Sequence, residues 1–319
     1  MFKALSFLVL LLALSFPKGA RAQMTIVSSF NPGSAAEKKY VDPHTTAVMI
    51  RSNWSQLEAS EGVYNWMQLD SQITSWTGQG KKVAIIASLA ADSGVNTATP
   101  GYVLQNKQTT TVKCPAFPNP CPVTNTQFFV QREEAFIQAL LAHLVPMGSS
   151  ILYVRVGPMH GGESCPSCFQ ADPLAWGQES GVMSYLSDLA TFVSKLHSPI
   201  QMVYDMNSCI NNSWAAQMGD IFAKVGLGIG NDAASGKDVN GPGNGDWVVK
   251  FAQYPLVYHY LQQQNPDTIA DTLKIIPFAR TQGVDAFEIN ESILDAAYDP
   301  ANPNYAQYHV QLQKVLQLK

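Results

Sequence analysis

Runs of basic residues are missing from this chain, and charge of either sign is scarce. Its 319 residues carry 20 Lys and Arg against 24 Asp and Glu, a formal net charge of -4. Without a basic block to neutralise phosphates, nucleic acid is not an expected partner. The 6 histidines never fall at His-x-x-x-His or His-Glu-x-x-His spacing, so no dedicated metal centre is expected. No Gly-x-Gly-x-x-Gly turn follows the first strand-like run, which argues against a bound dinucleotide, and no cofactor is expected. Past the first 22 residues no stretch is apolar enough for a membrane helix. A neutral substrate suits such a surface.

The first 22 residues read differently. Lys3 gives a positive start, residues 4–16 form an apolar run, and residues 20–22 (Ala-Arg-Ala) offer a small-x-small cleavage site. This pattern predicts a signal peptide over 1–22, a mature chain from Gln23, and a secreted or periplasmic location. Residues 23–319 are then long enough for one α/β barrel, a fold of about 250 residues. A core of that size does not depend on disulfides. Export nevertheless makes them plausible among the 5 cysteines. Cys114 and Cys121 flank a turn-rich Pro-Ala-Phe-Pro-Asn-Pro loop and are expected to bridge. Cys165 and Cys168, in CxxC spacing, are expected to lie close enough to bridge, and Cys209 is left over and buried. The CxxC pair also fits a redox pair or half a zinc site, but the spacing of the other pair is wide for a zinc knuckle.

Apolar β-rich runs at 25–29, 46–51, 82–89, 151–157, 200–206, 225–230, 256–261 and 284–290 alternate with amphipathic helical runs. Trp66, Leu69, Ile73 and Trp76 keep helical spacing, as do Phe129, Phe136, Ile137, Leu140 and Leu144, and Val182, Leu186, Leu189, Val193 and Leu196. Asn65 with Gln68 reads as a capping box for the first. Eight buried strands alternating with helices predict an α/β fold, a (β/α)8 TIM barrel closed by the eighth strand beside the first. An open doubly wound sheet is the alternative. Two long loops, 90–126 and 231–246, follow strand ends on the face where barrels build active sites.

The densest motif runs from Arg51 through Trp54, Glu58, Glu61-Gly62-Val-Tyr64-Asn-Trp66 to Leu69-Asp70, with Gly80-Lys-Lys-Val83 entering the next strand. It resembles the segment after the second strand of clan A glycoside hydrolases, over about 45 residues. The resemblance implies a carbohydrate substrate and gives Arg51 the role of supporting a nucleophile. The fourth strand runs out through Val156-Gly157-Pro-Met-His160-Gly-Gly162-Glu163. Clan A enzymes carry their acid/base Glu here, usually after Asn; a Gly-Glu step is also similar to the acid site of beta-amylases. Glu163 is therefore the candidate proton donor. The seventh strand, with Tyr260 and Gln262, holds no acid. The second carboxylate is sought on the eighth, at Glu288 or Glu291, which by strand alternation face opposite ways. Substrate-binding candidates are Arg51, Trp54, His160, Asp205, Asn207, Tyr260 and Gln262; Trp54, Trp214 and Tyr260 are of a type that stacks on sugar rings, although each alone fits a structural role better. The reading is a retaining glycosidase acting on an oligo- or polysaccharide. Its alternative is a catalytically silent carbohydrate-binding barrel.

Overall fold

Eight parallel strands close on themselves in simple chain order. In this computed structural model the described residues are 24–29, 45–90, 98–113, 120–157, 162–164, 168–206, 212–234, 254, 257–263 and 268–317. The expected signal peptide lies outside them. The strands are β1 Thr25–Ser29, β2 Ala47–Asn53, β3 Lys82–Ser88, β4 Ile151–Gly157, β5 Met202–Asp205, β6 Gly228–Ala234, β7 His259–Gln263 and β8 Ala286–Asn290. β8 pairs with β1 from Thr25↔Ala286 to Ser29↔Asn290, so the sheet is a barrel and not an open layer. The run at 225–230 begins late, as β6, because Gly226 first closes the preceding helix at φ 79°.

Helices cover the barrel. They include α1 Met67–Thr77, α2 Gln127–Leu144, α3 Gln178–Lys195, α4 Asn212–Lys224, α5 Ile269–Gln282, α6 Glu291–Tyr298 and α7 Tyr305–Gln317. None is long and apolar enough to cross a membrane among the described residues. Two-residue alternation sorts each strand between two cores. Ile26, Val48, Ile50, Ile85, Val154, Tyr204, Leu261 and Phe287 join the outer core beneath the helices. Val27, Ala47, Met49, Ala84, Ile86, Tyr153, Val203, Tyr260 and Ala286 fill the inside. The barrel is thus packed with side chains and is not a pore.

Three local expectations are corrected. The capping box at Asn65 and Gln68 is absent, since Trp66 is the residue before α1 and Asn65 Oδ1 meets the first helical N–H of Met67 at 3.2 Å. The reciprocal arrangement occurs earlier, where Asn53 N donates to Gln56 Oε1 at 3.1 Å over a short turn, Trp54–Leu57. The long loop 90–126 contains a helical turn, Gly101–Leu104, and a two-stranded antiparallel ribbon, Thr111–Val112 with Cys121–Pro122. Finally, the disulfide joins Cys121 to Cys168, with Cα atoms 6.7 Å apart, so neither expected local pairing forms. The ribbon carries Cys121 to the loop after β4, a meeting of segments that spacing along the chain does not reveal. Cys114, Cys165 and Cys209 lie outside the described residues.

Candidate active site

The inward face of β4 organises the mouth. Tyr153 is part of the interior, and two-residue alternation puts Arg155 on the same side. Arg155 is 1% exposed. A buried cation needs partners to remain charged, and this one reaches three other strands. Its Nη1 lies 3.2 Å from Asp205 Oδ2 on β5 and donates to Tyr260 Oη on β7 at 3.0 Å. Its Nη2 donates to Gln262 Oε1 at 2.7 Å and lies 3.8 Å from Glu288 Oε2 on β8. The guanidinium carbon sits 5.1 Å from the centre of the Tyr260 ring, a cation–π distance. Burial acts to lower the Arg155 pKa, but Tyr260, Glu288 and Asp205 outweigh it and hold the guanidinium charged.

Asp205 and Glu288 are both fully buried. Tyr260 donates its hydroxyl hydrogen to Asp205, and Tyr153 donates to Glu288. Burial first, then Glu288, raises the Tyr153 pKa far above the ordinary phenol value. Burial likewise raises Tyr260, opposed by Arg155 and reinforced by Asp205. Both phenols therefore remain neutral donors at physiological pH. Two carboxylates thus share one guanidinium, and each has its own phenol.

Glu163 arrives from the loop after β4. Its backbone forms an isolated parallel bridge with Asp205 at the end of β5. The return depends on two glycines. A Cβ on Gly157 would come within 2.1 Å of Gly162 O and 2.4 Å of Glu163 O, so any side chain there would push the loop away. Gly162 adopts φ 77°, and a Cβ on it would lie 3.0 Å from Arg155 Cγ. The Glu163 segment therefore rests on the methylene stem of Arg155. Glu163 is half-buried, the most accessible of the three acids.

The other candidates separate clearly. Arg51 continues the inward series of Ala47 and Met49 on β2, pairs in register with Ile86 and is half-buried. Gln262 is half-buried beside Arg155. Glu288 faces inward with Ala286, whereas Glu291 opens α6. His160 and Asn207 lie outside the described residues. Trp54 is corrected: it is fully buried between Phe129 and Phe136, with ring centres 5.6 and 5.5 Å away, and cannot stack on a ligand. Trp214 is likewise buried, against Phe169. Tyr260 is also enclosed, so its ring serves Arg155 and not a sugar. Arg155 and Tyr153 were the missed residues. The signal was a charged residue in the middle of the apolar run Ile-Leu-Tyr-Val-Arg-Val, which a packed barrel tolerates only with carboxylates opposite. Among the described residues no group of three His, Cys, Asp or Glu side chains could hold a metal ion.

Fold and mouth define a (β/α)8 barrel with acids gathered at the C-terminal ends of its strands, the face that carries active sites in barrel enzymes. The solved structures that share the shape include three carbohydrate-active enzymes. The catalytic domain of a beta-amylase from Paenibacillus polymyxa superposes with TM-score 0.57 at 9% identity, covering 93% of this chain and 98% of that one. An exo-beta-1,4-mannosidase from Opitutaceae bacterium strain TAV5 gives 0.53 at 12% identity, over 84% of this chain and 52% of that one. A psychrophilic glycoside hydrolase family 10 endo-beta-1,4-xylanase gives 0.50 at 12% identity, over 84% and 85%. This chain thus spans about half the length of the mannosidase. At such identities the likeness establishes the fold. No protein-family model matches the sequence, and no curated protein matches it.

Proposed function

We propose that this protein is a secreted glycoside hydrolase acting on a neutral oligo- or polysaccharide. The observation that carries the reading is the backbone bridge between Glu163 and Asp205, which ties a half-buried glutamate from the loop after β4 to the strand end that holds a buried carboxylate. The shared fold with a beta-amylase, a mannosidase and a xylanase supports the same class. Glu163 protonates the glycosidic oxygen as the bond breaks, and a water or sugar hydroxyl receives the glycosyl group. Glu288, fixed by Tyr153 and Arg155, supplies the negative charge that faces the oxocarbenium-like transition state. In the retaining form, Glu288 attacks the anomeric carbon and Glu163 then deprotonates the incoming water. Arg51 and Gln262, both half-buried, belong to the sugar-binding rim in this reading, and His160 and Asn207 are further candidates for sugar contact.

A second reading, a barrel that binds sugar without cleaving it, is favoured by one observation. Glu288 has no exposed surface, and its two oxygens face Tyr153 and Arg155. A panel of chromogenic glycosides and polysaccharides separates the two. Hydrolysis by the wild type, reduced at least about 1,000-fold in Glu163→Gln with sugar affinity intact, is the expected result. Cleavage by Glu163→Gln at the wild-type rate removes Glu163 as the acid. Oligosaccharide binding with no cleavage by the wild type selects the silent barrel. Proton NMR of the first-formed product, read before mutarotation, tests retention.

A further inference from the structure

We infer that Arg155 is the positioning residue of this site, holding the carboxylates of β5 and β8 and the Glu163 loop in one fixed arrangement. The inference rests on the hydrolase reading above and adds the means by which its acids are aligned. Arg155 stands on β4, two strands away from Arg51, where the family resemblance placed the supporting cation.

Three observations converge on it. The two ends of the guanidinium fork are divided between strands. Nη1 serves Asp205 and Tyr260, and Nη2 serves Gln262 and lies near Glu288. A planar, rigid fork can keep several acceptors at set spacings, which a lysine ammonium cannot. The stem does separate work, since a Cβ at Gly162 would lie 3.0 Å from its Cγ, so the segment that brings Glu163 to Asp205 runs close over it. The third observation is Gly230, on β6. A Cβ there would lie 2.1 Å from the Tyr260 ring. The absence of a side chain on β6 lets the ring lie under the guanidinium, at 5.1 Å, and its hydroxyl reach both Arg155 and Asp205. Four strands therefore contribute to holding a single cation. Being 1% exposed, Arg155 acts through the carboxylates and does not touch substrate.

The test is Arg155→Lys, which keeps the charge and discards the fork. On the best-cleaved glycoside, kcat is expected to fall about 100-fold with KM changed less than about threefold, the pattern of lost alignment. Carbon-13 NMR of labelled glutamate, assigned with Glu288→Gln, follows the Glu288 carboxyl independently of turnover. Its titration midpoint is expected to rise in Arg155→Lys, because one ammonium cannot serve Asp205 and Glu288 together. An unmoved midpoint, or kcat and KM changing only with the folded fraction, overturns the inference. A shifted midpoint in a protein that cleaves no glycoside leaves the arrangement standing and removes the hydrolase reading. Should Arg155→Lys not fold, Tyr260→Phe keeps the ring and removes the shared hydroxyl. It is then expected to lower kcat about tenfold at unchanged KM, and an unchanged kcat overturns the inference.

Discussion

Glu288 and Glu133 are both fully buried glutamates, yet they sit in opposite chemical surroundings. Glu288, inside the barrel, has a guanidinium oxygen-to-nitrogen distance of 3.8 Å and a phenol donor. Glu133, on α2 in the helical layer, accepts a hydrogen bond from the Tyr185 hydroxyl, 2.9 and 2.7 Å from its two oxygens. Among the described residues no cation shifts its ionisation. Burying a carboxylate without a counter-charge is costly enough that the group keeps its proton instead. The interior acid is therefore compensated as an ion, whereas the outer acid is a neutral hydrogen-bonding group between α2 and α3. A compensated, cation-bearing core is what a site needs if charge must be presented to a ligand, and structural packing alone does not call for it.

The sharpest way to break this contrast is to remove the cation. Arg155→Met strands two buried carboxylates and should lower the unfolding free energy by about 3–5 kcal/mol. Glu133→Gln, which keeps a neutral partner for Tyr185, should cost less than about 1 kcal/mol at pH 5. Urea denaturation of both variants at that pH is the measurement. Equal losses would mean that the two acids are alike and that Arg155 is not what sustains the inner pair.

The pH dependence sharpens the outer half of the comparison. Burial, opposed by the hydrogen bond from Tyr185 and reinforced by Glu134, pushes the Glu133 carboxyl up to about 8. In the unfolded chain it titrates near ~4.3. Between those values the folded form keeps a proton that the unfolded form has lost. The stability attached to Glu133 is thus complete below the unfolded value, declines as pH rises, and is gone once pH passes the folded one. Glu133→Gln removes this slope. At pH 8.5 the variant should exceed wild type by about 4–5 kcal/mol, and near pH 4.5 the two should nearly agree. Denaturation curves at the two pH values that remain parallel would mean Glu133 is ionised in the fold.

Much of the fold was legible because periodicity survives in the sequence. Each of the eight β-rich runs overlaps a barrel strand, and the stripe Phe129, Phe136, Ile137, Leu140 and Leu144 is buried in α2 as its spacing requires. The parity argument on the last strand was also readable, since Glu288 shares the inward face with Ala286. Contacts between distant segments were not readable. Cys121 finds Cys168 across 47 residues because a ribbon folds toward the loop after β4. Arg155 looked like an interruption of an apolar strand until β5, β7 and β8 supplied its partners. The motif around Trp54 was visible, but its residue types fit a sugar platform and an internal lock equally well, and only burial separates these.

That last distinction gives the smallest expected effect. Trp54 Nε1 donates to Glu58 Oε2 at 2.7 Å. Glu58 Oε1 accepts from Gly62 N at 2.7 Å and from Arg132 Nη2 at 2.8 Å, and Arg132 also pairs with Glu61 at 3.0 Å. The loop after β2 is thereby tied to α2 through one buried carboxylate. Trp54→Phe keeps an aromatic ring between Phe129 and Phe136 and removes one donor from a charged acceptor that retains two others. The expected loss is about 1.5 kcal/mol, at the low end for a hydrogen bond to a charged group. Oligosaccharide affinity and turnover should not change, because the ring has no exposed surface. Thermal unfolding and titration calorimetry on the same preparation read both quantities. A tenfold loss of affinity with unchanged stability would return Trp54 to the sugar-binding surface and make the region after β2 part of the site.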